Sequence, residues 1–207
     1  MEQAFGEPYP SMTHKCTTTK EIGRIIKSLK TKHSYGYDEI STKILKISGP
    51  YISSPMNYVC NKMLFWGVFP DRLKYAIIKP IHKNNDTCKV SNYRPISLLT
   101  SFSKILEMVM QRRTLKYLTK HNIISTEPYG FRVGYRTDSA TYRLTTEILN
   151  AMNNKLLVGG IFCDLEKAFG CVSHHILLYK LKFYGITNKD LQLYQSYLDN
   201  ILQNNNI

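Results

Sequence analysis

A carboxylate that directly follows an apolar run is the residue best placed to do chemistry in this chain. The run covers residues 156–163, contains Gly159 and Gly160, and predicts a short buried strand that ends at Asp164. An oxygen ligand in this position suits Mg²⁺, which usually binds one or two carboxylates together with substrate phosphates. The backbone carbonyl of Leu165 could join that coordination shell. The position is also typical of a helix N-cap, and the local pattern leaves both interpretations open.

The elements that must position this carboxylate are predicted from hydrophobic periodicity and turn residues. Apolar residues at helical intervals, with capping and stop signals, predict helices. They cover residues 18–31, 40–48, 53–66, 101–120, 137–153, 174–184 and 188–202. Strands are predicted over 75–82, where Pro80 marks an edge or a bulge, and over 156–163. Residues 84–92 predict a turn, and 203–207 a polar tail. This mixture indicates an α+β fold.

Basic residues are concentrated in the first part of the chain. The 207 residues include 28 Lys and Arg against 15 Asp and Glu, a net charge of +13. Up to Lys120 there are 20 basic and 8 acidic residues, whereas from His121 onward there are 8 and 7. Such a basic half is suited to a polyanion such as nucleic acid. A solvated, lysine-rich surface would give the same composition.

Composition and the placement of special residues narrow the class of protein. The hydrophobic fraction of 43% indicates a globular chain, and no apolar run is long enough to span a membrane. Residues 1–13 lack the basic and apolar parts of a signal peptide, so an intracellular location in nucleus or cytoplasm is expected. The cysteines are scattered without zinc-site spacing, which predicts buried thiols in a reducing compartment. They are Cys16, Cys60, Cys88, Cys163 and Cys171.

Motifs in a fixed order resemble those of reverse transcriptases of non-LTR retrotransposons. In chain order they are Gly36-Tyr-Asp38, Phe69-Pro70, Ile78-Lys-Pro-Ile-His-Lys83, Asn92-Tyr-Arg-Pro-Ile-Ser-Leu-Leu99, Tyr129-Gly-Phe-Arg132 with Gly134 and Thr137, Asp164-Leu-Glu-Lys-Ala-Phe169, Cys171-Val-Ser-His174, Ile176-Leu-Leu178 and Lys182-Phe-Tyr-Gly-Ile186. The resemblance covers roughly residues 17–200 and implies the fingers and a partial palm of a right-hand polymerase, helix-rich with a small incomplete sheet. We expect a disordered tail over 1–16, a fingers-like region over 17–155, and a partial palm with the first metal motif over 156–207.

The resemblance also implies a chemical task for individual residues. In the family, two Mg²⁺ ions promote nucleotidyl transfer, and Asp164 with the carbonyl of Leu165 matches the first metal ligands. Lys83 and Arg94 match cations that clamp the triphosphate of the incoming dNTP. Phe169 matches the aromatic steric gate that selects deoxynucleotides.

Further residues are expected to contact the RNA template and the DNA primer, the other partners that the resemblance implies. Arg132 could support the template strand or the core of the fingers, and the sequence leaves both open. Arg112 and Arg113 lie among the basic residues of a predicted helix and are candidate contacts for nucleic acid. Tyr93 and Phe131 could stack on bases or belong to a buried core.

Two departures from the family pattern argue against activity. Gly170 and His175 stand where the family usually has acidic residues, and no adjacent pair of aspartates occurs in the 207 residues. The family carries such a pair in a later hairpin, so we expect a truncated and inactive polymerase with an unpaired sheet edge near 156–163. The alternatives are a non-catalytic nucleic-acid-binding module and a helical interaction module; the oligomeric state is left open.

Overall fold

The computed structural model describes most of the chain in two compact units. Described are residues 9–13, 15–83, 86–125, 130, 134, 136–164, 168, 170–199 and 203–204. One unit comprises Met1–Tyr117 with Ser173–Ile207, and the other comprises Leu118–Val172. The expected division into fingers and palm at residue 156 concerns function and stays a prediction.

Helices dominate, as the sequence predicts. They are α1 (Thr19–Ser28), α2 (Thr42–Ile47), α3 (Gly49–Trp66), α4 (Ser101–Lys120), α5 (Thr137–Asn153), α6 (His174–Phe183) and α7 (Asn188–Leu198). The strands are β1 (Ala76–His82), β2 (Tyr93–Leu99) and β3 (Gln203–Asn204). Helix α3 begins four residues before its predicted start, because Pro50 occupies the first turn, where a missing N–H costs no hydrogen bond. Among the described residues, no helix is long and apolar enough to cross a lipid bilayer.

The core of the first unit forms where the apolar stripe of α1 meets apolar side chains of other helices. Ile22, Ile25 and Ile26 lie at helical spacing and are fully buried. They pack in one cluster with apolar side chains of α3, α4 and α7. The members from those helices include Cys60, Met63, Ile105, Leu106, Val109 and Leu193. Burial of this stripe therefore explains why α1 packs against these helices.

Strands β1 and β2 form an antiparallel ribbon that is buried at its base. Ala76 pairs with Leu99 at the buried base and His82 with Tyr93 at the exposed tip. Pro80 lies opposite Pro95. The hydrogen bond from Lys83 N–H to the Asn92 carbonyl (2.8 Å) sets the phase of the ladder and places the two prolines at a non-hydrogen-bonded pair. Neither proline therefore removes a ladder bond between β1 and β2, although β1 is the middle strand of the sheet and the sequence predicts that Pro80 marks an edge or a bulge.

The other side of β1 pairs with residues that the sequence predicts to be a tail. Ala76 and Ile77 pair in parallel with Gln203 and Asn204, which gives the strand order β2-β1-β3. The prediction of a polar tail over 203–207 is therefore wrong at its start. Two residues suffice because β1 already offers free backbone groups at that edge.

The predicted strand over 156–163 is wrong. The segment has no strand in the structure, and Leu157, Ile161 and Phe162 are almost fully exposed. No described segment pairs with it, and an extended segment without a partner gains no ladder hydrogen bonds. The expected sheet edge at this place is therefore not formed. Helix α5, in the same unit, also has no buried residue among those described.

Residues 9–13 are packed, although the sequence predicts a disordered tail over 1–16. Met12 is buried, and its N–H donates to the Gly185 carbonyl at 2.7 Å. The Tyr117 hydroxyl donates to the Pro10 carbonyl. An apolar side chain thus gives this stretch a defined site beside the end of α6, while residues 1–8 lie outside the described residues.

Candidate functional site

One face of the β1–β2 ribbon carries three cations. Arg94 is paired directly with Ile81, and side chains of a strand alternate between its two faces. Lys79 and Lys83, two residues to either side of Ile81, therefore lie on the face of Arg94. All three cations are exposed, and no strand position of the ribbon is acidic. The structure thus brings together the predicted pair Lys83 and Arg94.

Sequence reasoning missed the third cation, Lys79. The signal was present, because Lys79, Ile81 and Lys83 alternate with a period of two. Cross-strand register was the missing information, since Lys79 pairs with Ile96, the second residue after Arg94. Only this pairing shows that the two strands present their cations to the same side.

The opposite face of the ribbon tip carries an aromatic pair. The rings of His82 and Tyr93 have centroids 5.2 Å apart, and the Tyr93 hydroxyl donates to the Thr87 carbonyl at 2.9 Å. Tyr93 is half-buried by these contacts and points away from Arg94. Tyr93 therefore belongs to the local packing of the hairpin, and Phe131 lies outside the described residues.

Asp164 is exposed and lies in the second unit, at the end of the irregular 156–164 segment. It caps none of the described helices; the N-cap of α6 is Ser173, whose hydroxyl accepts from Ile176 N–H at 3.4 Å. Within the described ranges, no three His, Cys, Asp or Glu side chains cluster as metal ligands would. Leu165 and Phe169 fall outside the described residues, as does Arg132.

Arg113 is engaged in a contact within the first unit. Its guanidinium donates to both carboxylate oxygens of Glu21 at 2.7 Å and to the Lys15 carbonyl at 3.3 Å. The hydrogen bonds from Arg113 hold the pKa of Glu21 below its usual value. The predicted contact of Arg113 with nucleic acid stays a prediction, and this ion pair disfavours it. Arg112, next to it, is half-buried.

The cysteines differ from the prediction of buried thiols. Only Cys60 is buried, and burial raises the pKa of its thiol to about 12. The other four are exposed and free. They are Cys16, Cys88, Cys163 and Cys171. The scattered spacing of the cysteines therefore does not indicate that they are buried.

The chain is similar in sequence to known polymerases. The family described as reverse transcriptase (RNA-dependent DNA polymerase) matches residues 81–206. The chain is 33% identical over 189 residues to a probable RNA-directed DNA polymerase from transposon BS of Drosophila melanogaster. The aligned region covers 88% of the chain and 21% of that protein. It is 32% identical over 184 residues to the RNA-directed DNA polymerase from mobile element jockey of the same species, with 88% and 20% covered. The chain thus spans about a fifth of the length of these relatives.

Proposed function

The chain belongs to the reverse transcriptase (RNA-dependent DNA polymerase) family of non-LTR retrotransposons, and on this premise we propose that it forms part of an RNA-directed DNA polymerase acting on an RNA template, a DNA primer and dNTPs. Its main contribution is a clamp for the triphosphate of the incoming nucleotide. The observation that carries this proposal is the shared face of Lys79, Lys83 and Arg94 on the exposed ribbon.

The spacing of the three cations suits a triphosphate. Arg94 is diagonal to both lysines across the ribbon, a separation of about 7–8 Å between backbone positions, which long side chains can close. Arginine offers a planar pair of donors to phosphate oxygens, and each lysine offers a compact point charge. Because no acidic residue occupies a strand position of the ribbon, nothing there competes for these cations. The clamp would hold the nucleotide and offset its negative charge.

The metal site is proposed from family membership. Asp164 and the carbonyl of Leu165 would bind Mg²⁺, which supplies the activation of the primer hydroxyl in the family. Phe169 would select deoxynucleotides, and Arg112 and Arg132 would contact nucleic acid. No cluster of metal-ligating side chains surrounds Asp164 among the described residues, so these residues do not fit the full two-ion complement. We therefore infer that a polypeptide of these 207 residues, made by itself, does not polymerise DNA.

The clamp is tested by binding of a fluorescently labelled dNTP to the 207-residue chain. Arg94→Ala is expected to weaken binding about tenfold or more, since hydrogen bonds to charged groups contribute about 1.5–3 kcal/mol. Lys83→Ala and Lys79→Ala should each weaken it by less. Lys89→Ala is the matched control, because Lys89 is exposed in the same hairpin but outside its strands. Equal affinities for Arg94→Ala and Lys89→Ala would refute the clamp.

Activity is tested separately by primer extension with an RNA template, dNTPs and Mg²⁺. We expect no incorporation by the 207-residue polypeptide. Incorporation that disappears on Asp164→Ala would contradict the inferred inactivity and would at the same time support Asp164 as a metal ligand. Incorporation that survives Asp164→Ala would indicate a contaminating polymerase, which the Arg94→Ala protein prepared in parallel would also reveal.

A further inference from the structure

A groove with a basic lining runs between α1, α2 and α3, apart from the ribbon. It has a volume of about 700 Å³. Its cations are Lys20, Arg24 and Lys27 on α1 and Lys46 on α2. No acidic residue lines the groove, and it shares no lining residue with the cationic face of the ribbon. It is therefore a second basic surface in the first unit.

The three cations of α1 form a row on one face of that helix. Lys20, Arg24 and Lys27 are separated by four and three residues, the spacing that aligns side chains along a helix. Like charges at these spacings repel each other and destabilise the helix. Glu21, the acidic residue of α1, does not relieve them, because both of its oxygens accept from Arg113. The row is a cost to folding that a bound anion would offset.

None of these cations is neutralised within the described part of the chain. Lys20, Arg24 and Lys27 are exposed and form no ion pair with any described residue. Lys46 is half-buried, and its ammonium donates to the Thr31 hydroxyl at 3.2 Å, a neutral partner that holds it beside the groove. All four charges are thus free to meet an anion from outside.

The floor of the groove is made of small residues that let α1 and α3 approach closely. A Cβ atom at Gly23 would lie 3.5 Å from Ser53 Oγ, and one at Gly49 would lie 3.4 Å from the Ile26 side chain. The Ser53 hydroxyl donates to the Gly49 carbonyl at 2.6 Å. Larger side chains here would fill the groove and push its cationic walls apart.

We propose that this groove binds the phosphodiester backbone of a nucleic-acid strand. The choice of nucleic acid over other polyanions rests on the proposed function. From Lys20 to Lys27 the row extends about 10 Å along the helix axis at about 1.5 Å per residue. Three cations along this length can contact up to three phosphates of one strand, one phosphate for each side chain. Contacts with phosphates carry no sequence information, so binding through this groove is expected to be independent of sequence.

The test is the salt dependence of binding of a labelled 12-nucleotide RNA to the 207-residue chain. The variant Lys20→Ala/Arg24→Ala/Lys27→Ala is compared with Lys62→Ala/Lys120→Ala/Lys180→Ala, whose exposed lysines lie outside the groove and give the same net charge. The slope of log K against log salt is about −0.7 per phosphate contact on a single strand. The groove variant should therefore lose about 2 units of slope, and the control should lose less than about 0.5.

Several outcomes overturn the groove proposal. The first is an unchanged slope in the groove variant, and the second is an equal loss of slope in both triple variants. The third is a groove variant that loses binding to vesicles with 30% phosphatidylserine but still binds RNA like the parent. Alanine favours helix, so the groove variant should fold, and an unaltered urea midpoint checks this. The labelled dNTP separates the two proposals. If the groove variant binds RNA normally while Arg94→Ala still loses nucleotide, only the groove is refuted; normal nucleotide binding by Arg94→Ala refutes the clamp.

Discussion

The guanidinium of Arg113 on α4 donates two hydrogen bonds of 2.7 Å to the carboxylate of Glu21 on α1. The side chains are only 18% and 23% exposed, so water shields their attraction incompletely. Arg113 also donates to the Lys15 carbonyl. One side chain of α4 thus fixes both the first turn of α1 and the segment that leads into it.

Replacing this arginine should destabilise the first unit. Arg113→Met removes the paired hydrogen bonds and leaves Glu21 without its partner, and we expect the free energy of unfolding to fall by about 1–3 kcal/mol. Urea denaturation measures this. Lys116→Met, on an exposed position of the same helix, is the control. In a double-mutant cycle with Glu21→Gln the two changes should be strongly coupled; additive effects would contradict the pairing.

The Glu21 carboxylate should make stability depend on acid. The pKa of Glu21 is lowered in the folded chain, chiefly by its hydrogen bonds from Arg113. A lowered carboxyl pKa stabilises the fold above the unfolded value of about 4.3, and this stabilisation is lost as pH falls through the folded value. The free energy of unfolding should therefore drop between about pH 5 and pH 3. Glu21→Gln should flatten that drop, whereas an unaltered profile would count against the assignment.

The Glu107 carboxyl should make the fold less stable as pH rises, the opposite of the effect of Glu21. Burial raises the pKa of its carboxyl, against the effect of a hydrogen bond from the Tyr197 hydroxyl at 2.9 Å. A raised pKa stabilises the fold below the unfolded value, and this contribution is lost as pH rises through the folded value. Glu107→Gln keeps an acceptor for Tyr197 without the buried charge, so it should be more stable than the parent at pH 7. Urea midpoints at pH 7 and pH 4 test this; a gain that is not smaller at pH 4 would contradict it.

Gly36 should tolerate no side chain. A Cβ atom there would lie 2.7 Å from the Thr100 nitrogen and 2.9 Å from the Leu99 carbonyl carbon, both backbone atoms at the base of the ribbon. Gly36→Ala should cost about 1–3 kcal/mol through overpacking. Gly159→Ala, where a Cβ would meet nothing within 4 Å, should change stability by less than about 0.5 kcal/mol. Thermal denaturation of both variants tests this prediction. Equal melting temperatures would contradict the close approach of Gly36 to the backbone of Leu99 and Thr100.

Cys60 should be the slowest thiol to react. Burial raises the pKa of its thiol to about 12, so almost no thiolate is present at pH 8. A chromogenic disulfide reagent should therefore label four exposed cysteines rapidly and Cys60 only as the chain unfolds. In Cys60→Ala the slow phase should vanish while the fast phase keeps its amplitude. Five thiols reacting at one rate would contradict the burial of Cys60.

Most of the helical framework could be predicted, because each helix carries its own signal. The stripe of Ile22, Ile25 and Ile26 and the stop signals at Gly67 and Gly185 are local features of the sequence. The cationic pair Lys83 and Arg94 came from motif resemblance, and its common face required only the alternation of strands and the register of one ribbon.

Features that depend on distant partners could not be predicted. The apolar pattern over 156–163 satisfies the rule for a buried strand, but a strand forms only where another segment supplies hydrogen bonds. The pairing of Arg113 with Glu21 joins residues 92 positions apart, and nothing local distinguishes Arg113 from Arg112. The short strand at Gln203 likewise exists only because β1 offers it an edge.

The hydrogen bond from Phe69 N–H to the Ser196 hydroxyl, at 3.0 Å, spans 127 residues of sequence, and Leu193 of α7 fills the same cluster as Phe69. A ribosome adding about 5–20 residues per second needs roughly 6–25 s to make that stretch. During this interval part of the apolar surface of α1 and α3, and of α4 once its residues are made, remains uncovered. A pause in translation within the intervening residues would lengthen the time during which this apolar surface can aggregate.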